Sequence, residues 1–214
     1  MVADPKDDAA GATRDSKAEV LDAAARAFMS SGFASTTLND IADLLGSTKG
    51  RVYHYYRSKG AIFLDVIRTA MHVLIERVGP ITRSDLPADE KLEAMAREHA
   101  LITMEYFPYF RVTTIGVLDI QSRQMAGVTG TLPSDIIKLR DEYESYFVDV
   151  ITDGVADGLF RRVRPRLASK EVLGALNWIV IWYAAGGRGD APEMIAQEFA
   201  SFVTRGLLKF EAAQ

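Results

Sequence analysis

Between Thr37 and Tyr56 the chain spells two helices too short to stand alone, joined by a turn of about four residues centred on Gly46. Leu38, Ile41, Ala42 and Leu45 recur at the three- and four-residue spacing of one helix face. Thr37 precedes them, and Asp40 stands three residues later, a capping-box variant with Asp in place of the usual Glu. Thr48 can cap the next segment, and Lys49 to Tyr56 make two turns that carry Val52 and Tyr56 inward. Helices of two turns are not stable by themselves in water. They must therefore be locked against each other and against neighbours, which is helix-turn-helix geometry.

The rest of the chain supplies helical neighbours. From Ser16, Val20, Leu21, Ala24, Ala27 and Phe28 follow helical spacing until Gly32 stops the segment as a left-handed cap would, with Phe33 placed to fold back. Ser58 caps a long apolar helix from about Lys59 to Val78, where Gly79-Pro80 is expected to break it. Further helices are expected over 88–106, 109–125, 133–157, 169–185 and 191–210, punctuated by Pro87, Pro108, Pro133, Pro165, Gly186-Gly187 and Pro192. No stretch alternates as a half-buried strand does, so the expected fold class is all-α. Residues 1–15 are small, acidic and aperiodic, and are expected to form a disordered tail. The domains expected are then 16–64 for the helix-turn-helix and 65–214 for a larger helical body.

Composition removes several classes of function. With no cysteine among 214 residues, disulfides, thiolate metal sites and cysteine nucleophiles are excluded. His54, His72 and His99 are too scattered to suggest a metal cluster, and no cofactor is implied. The longest apolar run, from Trp178 to Ala185, is far short of a membrane span, and no N-terminal stretch resembles a signal peptide; a cytoplasmic location with no membrane partner is the default expectation. The net charge of −4 argues weakly against nucleic acid, but distribution matters more than the sum. From Leu44 to Leu64 there are four cations (Lys49, Arg51, Arg57, Lys59) and no acid, and a second basic group, Arg161, Arg162, Arg164 and Arg166, lies downstream.

These residues resemble the DNA-binding domain of the TetR family of transcriptional regulators. Thr36-Thr37-Leu38-Asn39-Asp40-Ile41-Ala42-Asp43 looks like the family's second helix, Thr48 to Tyr56 like its recognition helix, and Ser58-Lys59 like the start of its fourth; Ala23 to Phe28 and Gly32-Phe33 also match. The resemblance spans about 16–64. It implies that Thr36 and Thr37 hold a phosphate and that Thr48 caps the recognition helix and touches the DNA backbone. It further implies that Lys49 and Arg51 face the major groove, that Gly50 permits close approach, and that Tyr53, His54 and Lys59 contact phosphates. Two departures stand out. Ser47 occupies a usually apolar position, and Arg51 a commonly small one. The implied partners are double-stranded DNA, a second copy of the chain and a small-molecule effector.

For the larger half, the resemblance implies a four-helix dimer interface from the last two helices, with the preceding ones enclosing the ligand. Leu173, Leu176, Val180 and Tyr183, then Ile195, Phe199, Phe202 and Val203, suit such an interface, although core packing within one subunit gives the same periodicity. The segment from Asn177 and Trp178 to Tyr183 also resembles regulators of fatty-acid or sterol-ring breakdown, a branch that senses acyl-CoA thioesters. No Lys or Arg lies between Glu171 and Gly187 to meet coenzyme A phosphates, a departure from that branch. Candidate effector contacts are His99, Tyr106, Tyr109, Phe110, Arg111, Tyr143, Asn177 and Trp178, with Asp119 and Gln121 as further polar groups in apolar helices.

Three functions remain open at this point. They are a repressor released from a palindromic operator by its effector, an activator or ligand-independent DNA binder on the same fold, and a helical enzyme carrying a helix-turn-helix-like segment. The last lacks any phosphate-binding glycine loop, metal-spaced histidine pair or nucleophile elbow, so no catalytic residue is assigned.

Overall fold

The computed structural model describes residues 5–121, 131–183 and 189–209. Among them the chain is helical: α1 Pro5–Ser35, α2 Leu38–Leu44, α3 Lys49–Tyr55, α4 Lys59–Thr82, α5 Ala88–Glu105, α6 Phe107–Gln121, α7 Ser134–Ala156, α8 Pro165–Asn177, α9 Ile179–Trp182 and α10 Pro192–Arg205. The one β-type pairing among the described residues is an isolated antiparallel bridge between Phe160 and Leu208. The chain divides into two compact units, residues 1–69 with 108–132, and residues 70–107 with 133–214.

Unit 1 is built around α1. Val20, Leu21, Ala24 and Phe28 are buried on one face of that helix, as their spacing requires. Helical geometry breaks at Gly32, whose φ of 76° and ψ of 159° turn the chain so that Phe33 packs 5.5 Å from Phe28 and 5.1 Å from Phe63, ring to ring. Ile41, Ala42, Val52 and Tyr56 close the core beneath α2 and α3. Between those helices Gly46 takes φ 62°, a left-handed conformation that a side chain would strain. On α6, Gly116 lies so close to Phe63 that a β-carbon there would come within 2.3 Å of the ring.

The N-terminus differs from the sequence expectation. The helix starts at Pro5 rather than near Ser16, and the segment expected to be a disordered tail is helical from that residue on. The segment is rich in alanine, the best helix former, and extending an existing helix is far easier than nucleating one. Periodicity could not reveal it because it has no apolar face to repeat.

Unit 2 is a helical body in which α5 is central, flanked by α7, α8 and α10. Leu92, Met95, Ala96, Ala100 and Ile102 on α5 are fully buried, as are Phe147 and Ile151 on α7 and Leu176 on α8. Proline punctuates as expected at Pro165 and Pro192, which open α8 and α10 where a missing N–H costs nothing. Gly79-Pro80 does not end α4, however. The helix continues to Thr82, whose hydroxyl donates to the Gly79 carbonyl at 2.7 Å, and Gly79 packs against the Tyr146 ring. Pro80 removes a single i→i−4 donor, the one to the Glu76 carbonyl, with only two helical residues beyond it. The expected helix over 169–185 is instead two pieces, α8 and α9, joined at Trp178. The expected extension of α6 to residue 125, the side chains of Asp119 and Gln121, and the Gly186-Gly187 stop lie outside the described residues.

Candidate functional site

Helix α2, the first of the motif, is secured by its own cap. The Thr37 backbone N–H donates to the Asp40 carboxylate at 2.7 Å, the Thr37 hydroxyl donates to it at 2.9 Å, and the Asp40 N–H donates back to that hydroxyl at 3.2 Å. Hydrogen bonds from Thr37 backbone and side chain hold the Asp40 carboxyl below its usual range. Thr37 is exposed but its donors are spent, and a carboxylate occupies the place where a phosphate was expected. Thr36 is a clearer correction. It is 1% exposed, and its hydroxyl donates inward to the carbonyls of Gly32, at 2.7 Å, and Ala27, at 3.3 Å, tying down the end of α1.

The recognition helix α3 buries Val52, followed by Tyr56 just past its end, and displays the opposite side. At 100° per residue, Gly50 and His54 fall across from Val52 with Tyr53 beside Gly50, while Lys49, in the opening turn, lies about 60° round from the buried position. All four are exposed, Tyr53 at 53%. The His54 ring is held edge-on by Tyr55, centroids 4.8 Å apart. Thr48 sits at the N-cap as expected, but its hydroxyl makes no capping bond and stays exposed.

Two of the four cations in the basic window are engaged elsewhere. Lys59 was expected on a phosphate. Instead its ammonium donates to the carbonyls of Phe33 (2.8 Å), Ala34 (2.9 Å) and Thr36 (3.0 Å) and lies 4.7 Å from the centre of the Phe33 ring. It closes the carbonyl end of α1 electrostatically. Arg51 was expected in the groove. Its Nε and Nη2 donate to the Ser16 hydroxyl at 3.0 and 2.9 Å, and Nη2 pairs with the Glu19 carboxylate, leaving 31% of the side chain exposed. Lys49 and Arg57 remain exposed.

Sequence reasoning missed the partners that receive these side chains. Asp65 on α4 accepts from Lys17 (3.1 Å), Tyr56 (3.0 Å) and Arg68 (3.0 Å). Burial pushes its carboxyl upward, but the bonds from Lys17, Tyr56 and Arg68 outweigh that and hold it below the usual range. Burial first, then Asp65, pushes the Tyr56 phenol far up.

Of the candidate effector residues, the structure brings His99 and Tyr143 together. Both are buried, with His99 Nδ1 2.8 Å from the Tyr143 hydroxyl and the rings 5.8 Å apart. Burial lowers the His99 pKa to about 4, and the Asn177 side chain opposes that shift. Burial likewise raises Tyr143 well above its ordinary value. His99 Nε2 and the Thr103 hydroxyl, one turn apart on α5, are buried with no hydrogen-bond partner among the described residues. Thr103 escaped the sequence reading, although a polar pair at i and i+4 inside an apolar helix was visible there. Tyr106 ends α5, half-buried, its N–H donating to Ile102. Tyr109 and Phe110 are core residues of unit 1, where Arg111 lines a cavity of about 100 Å³ with Phe28, Phe33 and Phe63. Asn177 and Trp178 are exposed, Trp178 at 59%, while the Asn177 side chain still acts on the buried His99 ring.

The expected interface residues divide in two. Leu176, Val180, Ile195 and Val203 are buried within the subunit, and Leu173, Tyr183 and Phe199 are half-buried. Phe202 is 75% exposed, in company with Trp178, Trp182, Met194 and Leu167, and Trp182 stacks on Phe199 at 5.8 Å. Among the described residues no cluster of metal-ligating side chains occurs, and no helix is long and apolar enough to cross a membrane.

Two short helices around a left-handed glycine, the second displaying Lys49, Gly50, Tyr53 and His54, define a helix-turn-helix DNA-binding protein. Residues 20–66 match the model for bacterial regulatory proteins of the tetR family, and residues 85–207 match that for the tetracyclin repressor-like C-terminal domain. The chain belongs to the TetR family and is a DNA-binding transcriptional regulator. It is 28% identical over 208 residues to the HTH-type transcriptional repressor KstR2 of Rhodococcus jostii, covering 97% of this chain and 98% of that protein. Its fold is similar to that of the ketosteroid transcriptional regulator KstR2 of Mycobacterium tuberculosis, with TM-score 0.77 and 23% identity over 90% of this chain and 95% of that one. It is also similar to AibR, solved in complex with isovaleryl coenzyme A and operator DNA, with TM-score 0.69 and 22% identity over 88% and 96%.

Proposed function

We propose that the chain is a repressor that grips a palindromic operator as a two-fold dimer and is released by an acyl-CoA thioester or another hydrophobic metabolite bound in unit 2. The observation that carries this reading is the uncovered face of α3, in a chain that aligns nearly end to end with a repressor. Lys49 and His54 offer donors to base edges and phosphates, Gly50 lets the backbone come close, and Tyr53 and the uncapped Thr48 hydroxyl reach the flanking backbone. One such motif reads too few base pairs to be specific, so a second copy reading the other half-site is required. The exposed Trp178, Trp182, Met194 and Phe202 supply an apolar face for it.

Two features support the effector class. AibR is a fold relative that binds a coenzyme A thioester, and α5 carries buried polar atoms that want partners. The exposed Arg161, Arg162, Arg164 and Arg166 are the cations available to coenzyme A phosphates. Helix α4 is the covalent link: its first residues belong to unit 1 and its last to unit 2. A differential affinity of about 1–3 kcal/mol for one state would change operator affinity about 5–150-fold.

The test begins with a duplex selected by the protein from fragmented genomic DNA. Isovaleryl-CoA, longer and ring-bearing acyl-CoA thioesters, the free acids and coenzyme A are then titrated into the complex. Release by one thioester but not by coenzyme A alone is expected. Release by none of them refutes the effector class, and failure to select any duplex refutes the operator reading.

A further inference from the structure

Helix α3 has little of its own to hold it in place. It is seven residues long, its N-cap hydroxyl makes no capping bond, and Val52 is its one fully buried side chain. Its orientation must therefore come from side chains that reach it from elsewhere. Two such ties come from a single turn of α1. Arg51 donates to the Ser16 hydroxyl through Nε and Nη2 and pairs with the Glu19 carboxylate. Lys17, between them in sequence, pairs with Asp65 at 3.1 Å and lies 5.3 Å from the centre of the Tyr56 ring; Tyr56 itself donates to Asp65 at 3.0 Å. One tie holds the first turn of α3, the other the residue that ends it.

We propose that residues 16–19 form a clamp that sets the angle of the recognition helix, and that Arg51 is a positioning residue within it rather than a reader of bases. The inference rests on α3 being the helix that meets DNA. The matched family region begins at residue 20, so the clamp lies just ahead of it.

The alternative is that Arg51 swings away from α1 into the groove when DNA arrives. Charge argues against that. In the clamp, Glu19 is neutralised by its guanidinium partner. Releasing Arg51 would strand an exposed carboxylate beside a helix that has to approach phosphates, which costs like-charge repulsion as well as the lost ion pair. Geometry agrees: Arg51 stands on the flank of α3, and its bonds to Ser16 and Glu19 turn its side chain toward α1 and away from the Gly50–His54 face.

The experiment uses the full-length protein and a duplex that the wild type selects from a randomised pool. Affinity is measured for Arg51→Ala, Glu19→Ala and the double variant across a salt series and a panel of single-base changes. Each single variant should weaken binding about tenfold, the worth of a charged hydrogen bond, and the double should be no worse than either. Base preference and the slope of affinity against salt should stay as in the wild type, because no DNA contact has been removed. The charge-swapped pair Arg51→Glu with Glu19→Arg should recover part of the loss. Tighter or unchanged binding by Glu19→Ala would overturn the inference, showing the carboxylate to be a mask. So would an Arg51→Ala variant that loses preference at one base position or drops the salt slope by about one. If a single variant does not fold by circular dichroism, the swapped pair decides: folded and binding supports the clamp, folded and non-binding refutes it, and a swapped pair that does not fold also counts against it. A wild type that selects no duplex overturns the DNA-binding reading, and the clamp with it.

Discussion

The Nδ1 atom of His99 lies 2.8 Å from the hydroxyl of Tyr143, joining α5 to α7 through two buried polar side chains. Burial holds the histidine pKa at about 4, so the folded protein carries a neutral ring where the unfolded chain titrates near 6.5. Between those values the unfolded state binds more protons than the folded one. The stability contributed by the neutral ring is complete above pH 6.5 and is lost as pH falls toward 4. At pH 5 the loss is about 2 kcal/mol, approaching ~3 kcal/mol below pH 4. Urea unfolding at pH 7 and pH 5 should show that decrement in the wild type. A His99→Gln variant, less stable at neutral pH, should show a smaller one; an equal decrement would assign the acid sensitivity to other groups.

Lys59 makes a prediction opposite in kind to that of a phosphate contact. Its ammonium serves three carbonyls at the end of α1, so Lys59→Met should destabilise the protein by about 1–2 kcal/mol in urea unfolding. At a temperature where the variant is folded, its operator affinity should depend on salt as steeply as that of the wild type. A slope reduced by about one would return Lys59 to the DNA.

Much of the motif was legible because its signals are local. Thr37 and Asp40 form the capping box their spacing required, and Gly46 takes the left-handed turn. The partners of Thr36, Arg51 and Lys59 were not legible, since each lies on an element brought near only by folding. A TetR-like sequence labels these three as DNA contacts, whereas packing gives each an intramolecular partner. The C-terminal helices teach a related lesson. Periodicity marks Leu176, Val180, Ile195 and Val203 as one apolar stripe but cannot say which molecule covers it; the subunit covers those four itself and leaves Trp178, Trp182 and Phe202 uncovered. At Pro80 the sequence rule fails because a proline in a closing turn breaks too little to stop the helix.

Lys49 is the cation of α3 still exposed in the structure, next to Gly50 in the turn that opens the helix. Lys49→Ala should weaken operator binding and lower the salt slope by about one, the release of one counterion. His54→Ala, by contrast, should change preference at one base pair by about 1–3 kcal/mol if its ring meets a base edge. Fluorescence anisotropy with a panel of singly substituted duplexes measures both. Wild-type behaviour in both variants would place the interface on another face of the unit.

Phe202 tests the assembly. On α10 its neighbours in sequence, Val203 and Thr204, are buried, yet its own ring is 75% exposed and lines an open groove of about 570 Å³ with Val172, Ala175 and Leu207. An aromatic ring so placed contributes nothing to the core of its own subunit, so replacing it should leave the fold intact. Against a second copy it would bury most of its surface, worth about 1.5–3 kcal/mol in each subunit and counted twice across a two-fold axis. Phe202→Glu should therefore keep the helical circular dichroism and melting temperature of the wild type at high dilution, yet run as a monomer by light scattering at concentrations where the wild type is expected to run as a dimer. Operator binding should fall with it by more than tenfold, because two half-sites can then be read only by two independent binding events. A variant that stays dimeric and binds as before would exclude α10 from the subunit contact. A monomer that still binds one half-site tightly would instead show that α3 needs no partner to be placed.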